Sequence, residues 1–222
     1  MKGRNTKKGI FVLIILIAYV FSSVFAGFPL GFGKTMERNM AKRYCRIVYP
    51  QAQLGKTVFN PVANGYETAV GLEDETIHIG VNLTEETVTD YYRQELFLND
   101  NGVTEIISRL GRTYESFISV YVVWKCDDPM TPIASLRLDY ADHESLSLPG
   151  EDQIKELLAP VVLDCIDQIE VILPLESAVV KYYHPDFDPD EVGMTWRSME
   201  ISLGNNEPRT KELFDATELA EN

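Results

Sequence analysis

The chain has 222 residues, of which 45% are hydrophobic and 24% are charged, and its 20 basic and 34 acidic side chains give a net charge of −14 at pH 7. This composition excludes a disordered chain and a polytopic membrane protein, and the roughly 190 residues beyond the N-terminal segment can bury one sizeable core or two small ones. The acidity also argues against a nucleic-acid partner, because an acidic surface repels phosphate backbones.

The first 33 residues differ from the rest of the chain in charge and hydropathy. Four bases and no acid precede a charge-free stretch from Gly9 to Gly33, which as a helix is long enough to cross a hydrocarbon core of about 30 Å. Residues 1–33 are therefore predicted to be a basic leader and a transmembrane anchor. A cleaved signal peptide is the alternative, because Val24-Phe25-Ala26 has small residues that signal peptidase accepts. The apolar run continues beyond Ala26, which favours a retained anchor.

The orientation of this anchor depends on the bases on its two sides. The leader has four, but five more lie between Lys34 and Arg46, so the positive-inside rule alone does not decide. The leader is purely basic, whereas the following segment includes Glu37, and long domains cross a membrane largely regardless of charge. We therefore expect a single-pass protein of the cell membrane whose C-terminal body is extracytoplasmic. A cytoplasmic body is the alternative.

The three cysteines limit the redox chemistry that the chain can carry. Cys45, Cys126 and Cys165 are an odd number, so at most one disulfide can form within the chain. No CxxC motif occurs, which excludes a zinc ribbon and a thioredoxin-like centre. Cys45 and Cys165 fall at apolar positions of predicted helices, where a cysteine is typically a small buried hydrophobe.

Residues 34–98 are predicted to form a first α+β unit. It begins with a juxtamembrane helix that ends near Tyr49-Pro50, because a proline forces the preceding residue out of the helical region. Its basic side chains face either solvent or anionic headgroups. Period-two alternation follows in 66–72 and 77–83, and the acidic turn between these segments predicts an antiparallel hairpin. The apolar positions of the helix are Met36, Met40, Tyr44 and Ile47.

Residues 99–205 are predicted to form a second α+β unit, and residues 206–222 an acidic C-terminal helix or tail. The second unit is predicted to contain a helix over 106–117, strands over 118–124 and 136–140, a helix opened by Pro149-Gly150 with an apolar stripe to Cys165, and strands over 179–183 and 196–203. Helices that pack on antiparallel sheets place the chain in the α+β class, and not among doubly wound α/β enzymes.

Local motifs of the common enzyme classes are absent or incomplete. Gly33-Lys34-Thr35 and Gly55-Lys56-Thr57 lack the glycine that a P-loop needs five residues earlier. No GxSxG elbow and no HExxH motif occurs. His78 and Asp142-His143-Glu144 are interpreted as exposed positions. The sequence therefore predicts no catalytic residue, no cofactor and no metal ligand.

Acidic side chains are concentrated in one segment, from Asp186 to Glu191. Asp186, Asp188 and Asp190 alternate as in a calcium loop, but Glu191 stands where that loop needs a glycine. Arg197 stands where the loop needs its last acidic ligand. The segment is interpreted as a solvated loop, with a weak divalent-ion site as the alternative.

The order of these features resembles a known family. With a basic leader, one apolar span, a helix closing at Tyr49-Pro50, short strands ending at Asp90-Tyr91-Tyr92 and a second α+β unit, the chain resembles the YfjL-like membrane-anchored proteins of Gram-positive bacteria. The resemblance implies a small extracytoplasmic domain pair on a single anchor and no catalytic residues. We expect a non-enzymatic, membrane-tethered protein that binds or modulates another envelope component, for which an envelope protein is the candidate partner. An envelope hydrolase without a local motif and a calcium-dependent surface module are the alternatives.

Overall fold

A computed structural model describes residues 17, 31–60, 65–73, 75–142, 149–184, 195–203 and 220–221. The fold is of the α+β class, as predicted. Its elements in chain order are α1 (Gly31–Val48), β1 (Gln53–Asn60), β2 (Gly65–Gly71), β3 (Thr76–Asn82), β4 (Thr87–Asp90), α2 (Tyr91–Asp100), α3 (Val103–Thr113), β5 (Phe117–Lys125), β6 (Pro132–Ala141), α4 (Glu151–Glu170), β7 (Leu175–His184), β8 (Thr195–Ser202) and β9 (Ala220–Glu221).

The chain divides into two compact units that alternate along the sequence. Unit 1 consists of Met1–Tyr92 and Val123–Pro132, and unit 2 of Arg93–Val122 and Ile133–Asn222. Strand β5 therefore contributes its last three residues to unit 1 and its first six to unit 2. Each unit needs two separate stretches of the chain.

Unit 1 is an antiparallel sheet with one helix packed on it. Strands β1, β2, β3 and β4 pair in chain order, and β4 then pairs with the end of β5, where Val88 lies opposite Trp124. The predicted hairpin is the β2–β3 pair, closed by a hydrogen bond from the Leu72 N–H to the Glu75 carbonyl at 2.8 Å. The buried side chains of β3 alternate with exposed ones, as a sheet with one covered face requires.

Helix α1 covers this sheet and corresponds to the helix that the sequence predicts before Tyr49-Pro50. It contacts β1, β2 and β3. Its buried positions are spaced by three or four residues, which is the period of one helical face, and they include Ala41, Tyr44 and Cys45. The helix ends at Val48, before Tyr49-Pro50, which confirms the predicted stop.

Unit 2 contains a mixed sheet, which corrects the expectation of antiparallel sheets. Strands β6 and β7 are parallel, with Leu136 opposite Ala178, whereas β7 and β8 are antiparallel. The 20-residue helix α4 connects β6 to β7, and a connection that contains a helix is what parallel neighbours need. Buried residues along α4, among them Ile154, Leu158 and Cys165, form most of the predicted apolar stripe, but Leu157, which was predicted to belong to it, is 38% exposed.

Several boundaries and one element differ from the sequence prediction. Helix α3 ends at Thr113, and Phe117 is the exposed first residue of β5 instead of the last residue of that helix. Helix α2 was not predicted. Of the predicted C-terminal segment 206–222, only 220–221 are described, and they pair with β8 as β9.

The predicted anchor over 1–33 lies almost wholly outside the described residues. Within the described part of the chain, no helix is both long enough and apolar enough to cross a membrane.

Candidate functional site

The residues that the sequence singled out lie in separate places. His78 is exposed on β3, as predicted, and both GKT tripeptides lie in regular elements, one in α1 and one in β1. Asp142 is buried directly after β6, so its interpretation as an exposed position is wrong. His143, Glu144 and the acidic segment from Asp186 to Glu191 lie outside the described residues.

A buried carboxylate, Asp90, joins α1 to the sheet of unit 1. Asp90 ends β4 and is fully buried, and its Oδ2 accepts hydrogen bonds from the hydroxyl of Tyr44 at 3.0 Å and of Tyr49 at 2.7 Å. The two tyrosine rings meet edge to face with centroids 6.3 Å apart. A buried charge requires such partners, because an unpaired carboxylate in a core is very costly. This cluster therefore fixes the C-terminal end of α1 on the sheet.

A second carboxyl, that of Glu37, lies on the inner face of α1 without comparable partners. Its side chain is 1% exposed, and neither oxygen forms a hydrogen bond with the described residues. Burial raises the pKa of Glu37 to about 8. The backbone amide of Tyr66 lies near enough to lower this pKa in part, and the charge of Glu67 raises it further. Glu37 is therefore largely protonated at neutral pH.

The three cysteines are free thiols in buried positions, as predicted for Cys45 and Cys165. Burial raises the pKa of Cys45 and of Cys165 to about 12, and that of Cys126 to about 11. A nucleophilic or metal-binding cysteine needs an accessible thiolate, which a raised pKa prevents. These thiols are part of the core.

Unit 2 contains two further acid–tyrosine pairs. Asp142, 3% exposed, accepts a hydrogen bond from the buried hydroxyl of Tyr182 at 2.5 Å. Asp164 on α4 accepts one from the hydroxyl of Tyr114 at 2.7 Å, which raises the pKa of Tyr114 to about 12. Gln168, which also donates to Asp164 at 2.8 Å, accepts from Arg109 and so links α4 to α3. Both pairs connect elements within the unit.

These clusters are built for structure more than for catalysis. General acid–base catalysis needs a titratable group within reach of a substrate, and the acids of these clusters are buried or already hydrogen-bonded. In the described part of the chain, no three acid, histidine or cysteine side chains come together as metal ligands. A shallow depression along α3 has a mainly exposed lining that includes Thr104, Ser108 and Arg112, and it contains no buried polar group that would orient a ligand.

No protein-family model matches this chain, and no curated protein or solved structure matches it either. The resemblance to the YfjL-like proteins thus stays a prediction. The two local marks of that resemblance, Tyr49-Pro50 and Asp90-Tyr91, nevertheless meet in the fold, because Tyr49 donates its hydroxyl hydrogen bond to Asp90.

The outer face of α1 carries several exposed bases. We define the α1 outer face by the exposed side chains that point away from the sheet. They are Met36, Asn39, Lys42, Arg43, Arg46 and Ile47, whereas the guanidinium of Arg38 is hydrogen-bonded to β1. The only acid of α1 is the buried Glu37, so no negative charge of the helix is exposed on this face. These bases are evident in the sequence, but Glu37 lies among them there and is separated from them only by the fold.

Proposed function

We propose that this chain is a single-pass membrane-anchored protein whose extracytoplasmic body binds or modulates another envelope protein without enzymatic activity. The observation that carries this proposal is the charge-free stretch from Gly9 to Gly33 behind a basic leader. A stretch of 25 residues without charge spans a bilayer as a helix, and the body that follows is long enough to cross regardless of its own charge.

The polar groups of the body support a non-enzymatic role. Three acids that accept hydrogen bonds from tyrosine hydroxyls, Asp90, Asp142 and Asp164, each connect two elements of their own unit. A catalytic acid would instead face a cleft with its pKa adjusted for proton transfer. Recognition of a protein partner requires only a stable surface, which two compact α+β units provide.

Protease accessibility in intact cells tests the proposed location. The full-length chain carries an epitope tag after Asn222, and protease is added to intact cells and, in parallel, to lysed cells. We expect the tag to disappear in both samples, while a cytoplasmic control protein is degraded only after lysis. A tag that survives in intact cells contradicts the extracytoplasmic body.

Extraction of membranes from these cells with alkaline carbonate tests whether the chain is anchored in the bilayer. The mass of the extracted chain tests whether the N-terminal segment is retained or cleaved. We expect the chain to remain in the membrane pellet with an intact N-terminal segment. A chain that is released and begins at Gly27 would show instead that the segment is a cleaved signal peptide.

Assays of the purified full-length chain on peptide, ester and glycan substrates test the absence of enzymatic activity. We expect no hydrolysis above that of the buffer. Hydrolysis that disappears when one acid or histidine is substituted would overturn the non-enzymatic role.

A further inference from the structure

Charge is segregated sharply at the start of the body. Within 34–48 there are five bases and one acid, and that acid is buried, whereas 49–222 contains 11 bases against 33 acids. Helix α1 begins at Gly31, within the last three residues of the charge-free stretch that ends at Gly33, and its bases follow directly. The cations are therefore concentrated in the part of the body that is nearest to the proposed anchor.

The contacts of α1 with the sheet determine which way these bases point. Ala41 and Tyr44 are fully buried against the sheet, and the Tyr44 hydroxyl is bonded to Asp90. At the other end, Arg38 donates to the carbonyl of Gly55 at 2.5 Å and to that of Leu54 at 3.4 Å, which joins α1 to β1. The helix cannot rotate without breaking these contacts, so Lys42, Arg43 and Arg46 remain exposed.

The α1 outer face combines bases with exposed apolar side chains. Lys42 and Arg46 are spaced four residues apart and lie one above the other on the helix, with Arg43 beside them. Beside it, Met36 is 47% exposed and Ile47 is 52% exposed. Within the described residues, Lys42, Arg43 and Arg46 form no ion pair. Bases together with apolar side chains on one helical face are typical of helices that lie at a membrane interface.

We propose that the α1 outer face binds the anionic phosphate headgroups of the membrane in which the chain is anchored, so that the helix lies against the bilayer surface and holds unit 1 there. This inference rests on the proposed function, because the anchor supplies the proximity. Anionic lipids attract bases near a membrane surface, and the effect falls off within a Debye length. The base nearest the charge-free stretch is Lys34, one residue beyond Gly33, so the bases begin within this distance.

The experiment measures how accessible the α1 outer face is in bilayers of two compositions. The full-length chain with Asn39→Cys, labelled with a fluorophore at that position, is placed at one chain per nanodisc in phosphatidylcholine alone or in phosphatidylcholine with 30 mol% phosphatidylglycerol. Mass spectrometry verifies that a single label is attached, because the three native cysteines are buried. Quenching by acrylamide, which is neutral and soluble in water, reports the exposure of the label.

We expect quenching to fall several-fold in the anionic discs and to recover in 1 M salt, which screens surface charges. The variant Lys42→Gln/Arg46→Gln should restore quenching in the anionic discs, because each removed base lowers the ratio of docked to free helix about five-fold, or about 30-fold for two. The control variant Arg109→Gln/Arg112→Gln removes two bases from the exposed side of α3 in unit 2. It should leave quenching of the label unchanged.

The outcomes separate this inference from the proposed anchor. Equal quenching in the two kinds of disc, from a chain that stays with the discs, overturns the inference and leaves the anchor intact. A chain that elutes without the discs refutes the anchor and the inference together. Protection that appears in neutral discs only when two chains share a disc shows that the occupant of this face is the acidic body of a second copy, and it also overturns the inference.

Discussion

Replacing Glu37 with glutamine should stabilise unit 1 by an amount that grows with pH. The carboxyl has an ordinary pKa of 4.5, and burial raises this pKa to about 8 in the folded chain. Between these values the folded chain keeps a proton that the unfolded chain has released. The free energy of unfolding of the unmodified chain therefore falls as pH rises from 4.5 to 8, and below pH 4.5 this dependence disappears.

The magnitude follows from the size of the pKa change. A difference of one pKa unit corresponds to about 1.4 kcal/mol, so at pH 7, which is 2.5 units above the ordinary pKa of 4.5, the penalty on the unmodified chain is about 3–4 kcal/mol. Glutamine has nearly the same shape as a protonated glutamate and does not titrate, so Glu37→Gln removes this penalty. The variant should gain little at pH 4.5 and about 1.4 kcal/mol for each pH unit above it, up to pH 8.

Fluorescence of Trp124 during urea unfolding measures this difference, because its side chain is fully buried in unit 1. The chain has two tryptophans, so Trp196→Phe in every variant leaves Trp124 as the only reporter. Glu85→Gln, which removes an exposed carboxylate from the same unit, is the control. Its free energy of unfolding should change with pH as that of the unmodified chain does. If the free energy of unfolding of Glu37→Gln changes with pH in the same way, Glu37 does not retain a proton in the folded chain and the reasoning is refuted.

Three further substitutions or reactions test the packing of the two units. Tyr49→Phe should lower the free energy of unfolding of unit 1 by about 1–3 kcal/mol, because it removes a hydrogen bond to the buried Asp90. In the same Trp124 assay, the control Tyr91→Phe at an exposed position should have no effect. Equal losses from the two substitutions would contradict the role of Asp90. Leu158→Ala should cost unit 2 about 2–5 kcal/mol, measured by circular dichroism in urea. Leu157→Ala, at the adjacent position that is 38% exposed, should cost less than about 1 kcal/mol. A larger loss from Leu157→Ala than from Leu158→Ala would show that Leu158 does not face the core. The native chain should not react with maleimide at pH 8, whereas in urea all three thiols should react, because Cys45, Cys126 and Cys165 are buried. A maleimide label found on the native chain by mass spectrometry would show that a thiol is accessible.

The elements that sequence analysis predicted well have strong local periodicity. The extent of α1 and its end before Pro50, the β2–β3 hairpin and most of the apolar stripe of α4 follow from patterns within about 20 residues. The predicted apolar face of α1 was partly wrong, because Met36 and Ile47 are exposed and Ala41 and Cys45 are buried instead. Helix α2 was missed because its pattern is weak: only Leu98 is buried among its ten residues, and its first residues are two tyrosines, which favour strands.

Pairings between distant segments had no local signal. The parallel β6–β7 pair depends on how α4 returns the chain, and the Tyr49–Asp90 hydrogen bond joins residues 41 positions apart. For Glu37, in contrast, a local signal was present and was not recognised. It lies among bases in the sequence and was grouped with them. Glu37 nevertheless precedes Ala41 by four residues, and Ala41 precedes Tyr44 by three, so all three lie on the buried face of the helix. An acid at the spacing of an apolar stripe was the signal that could have identified it.

The interleaved units have a consequence for synthesis of the chain. Trp124 and the residues that pair with β4 come after residues 93–122, which belong to unit 2. A ribosome must therefore translate past Lys125 before unit 1 can complete its sheet, even though residues 1–92 have been translated earlier. Until then β4 is an unpaired edge, which other strands can join. Unit 1 accordingly cannot be obtained whole by stopping translation between the two units, and unit 2 begins to be made before unit 1 is finished.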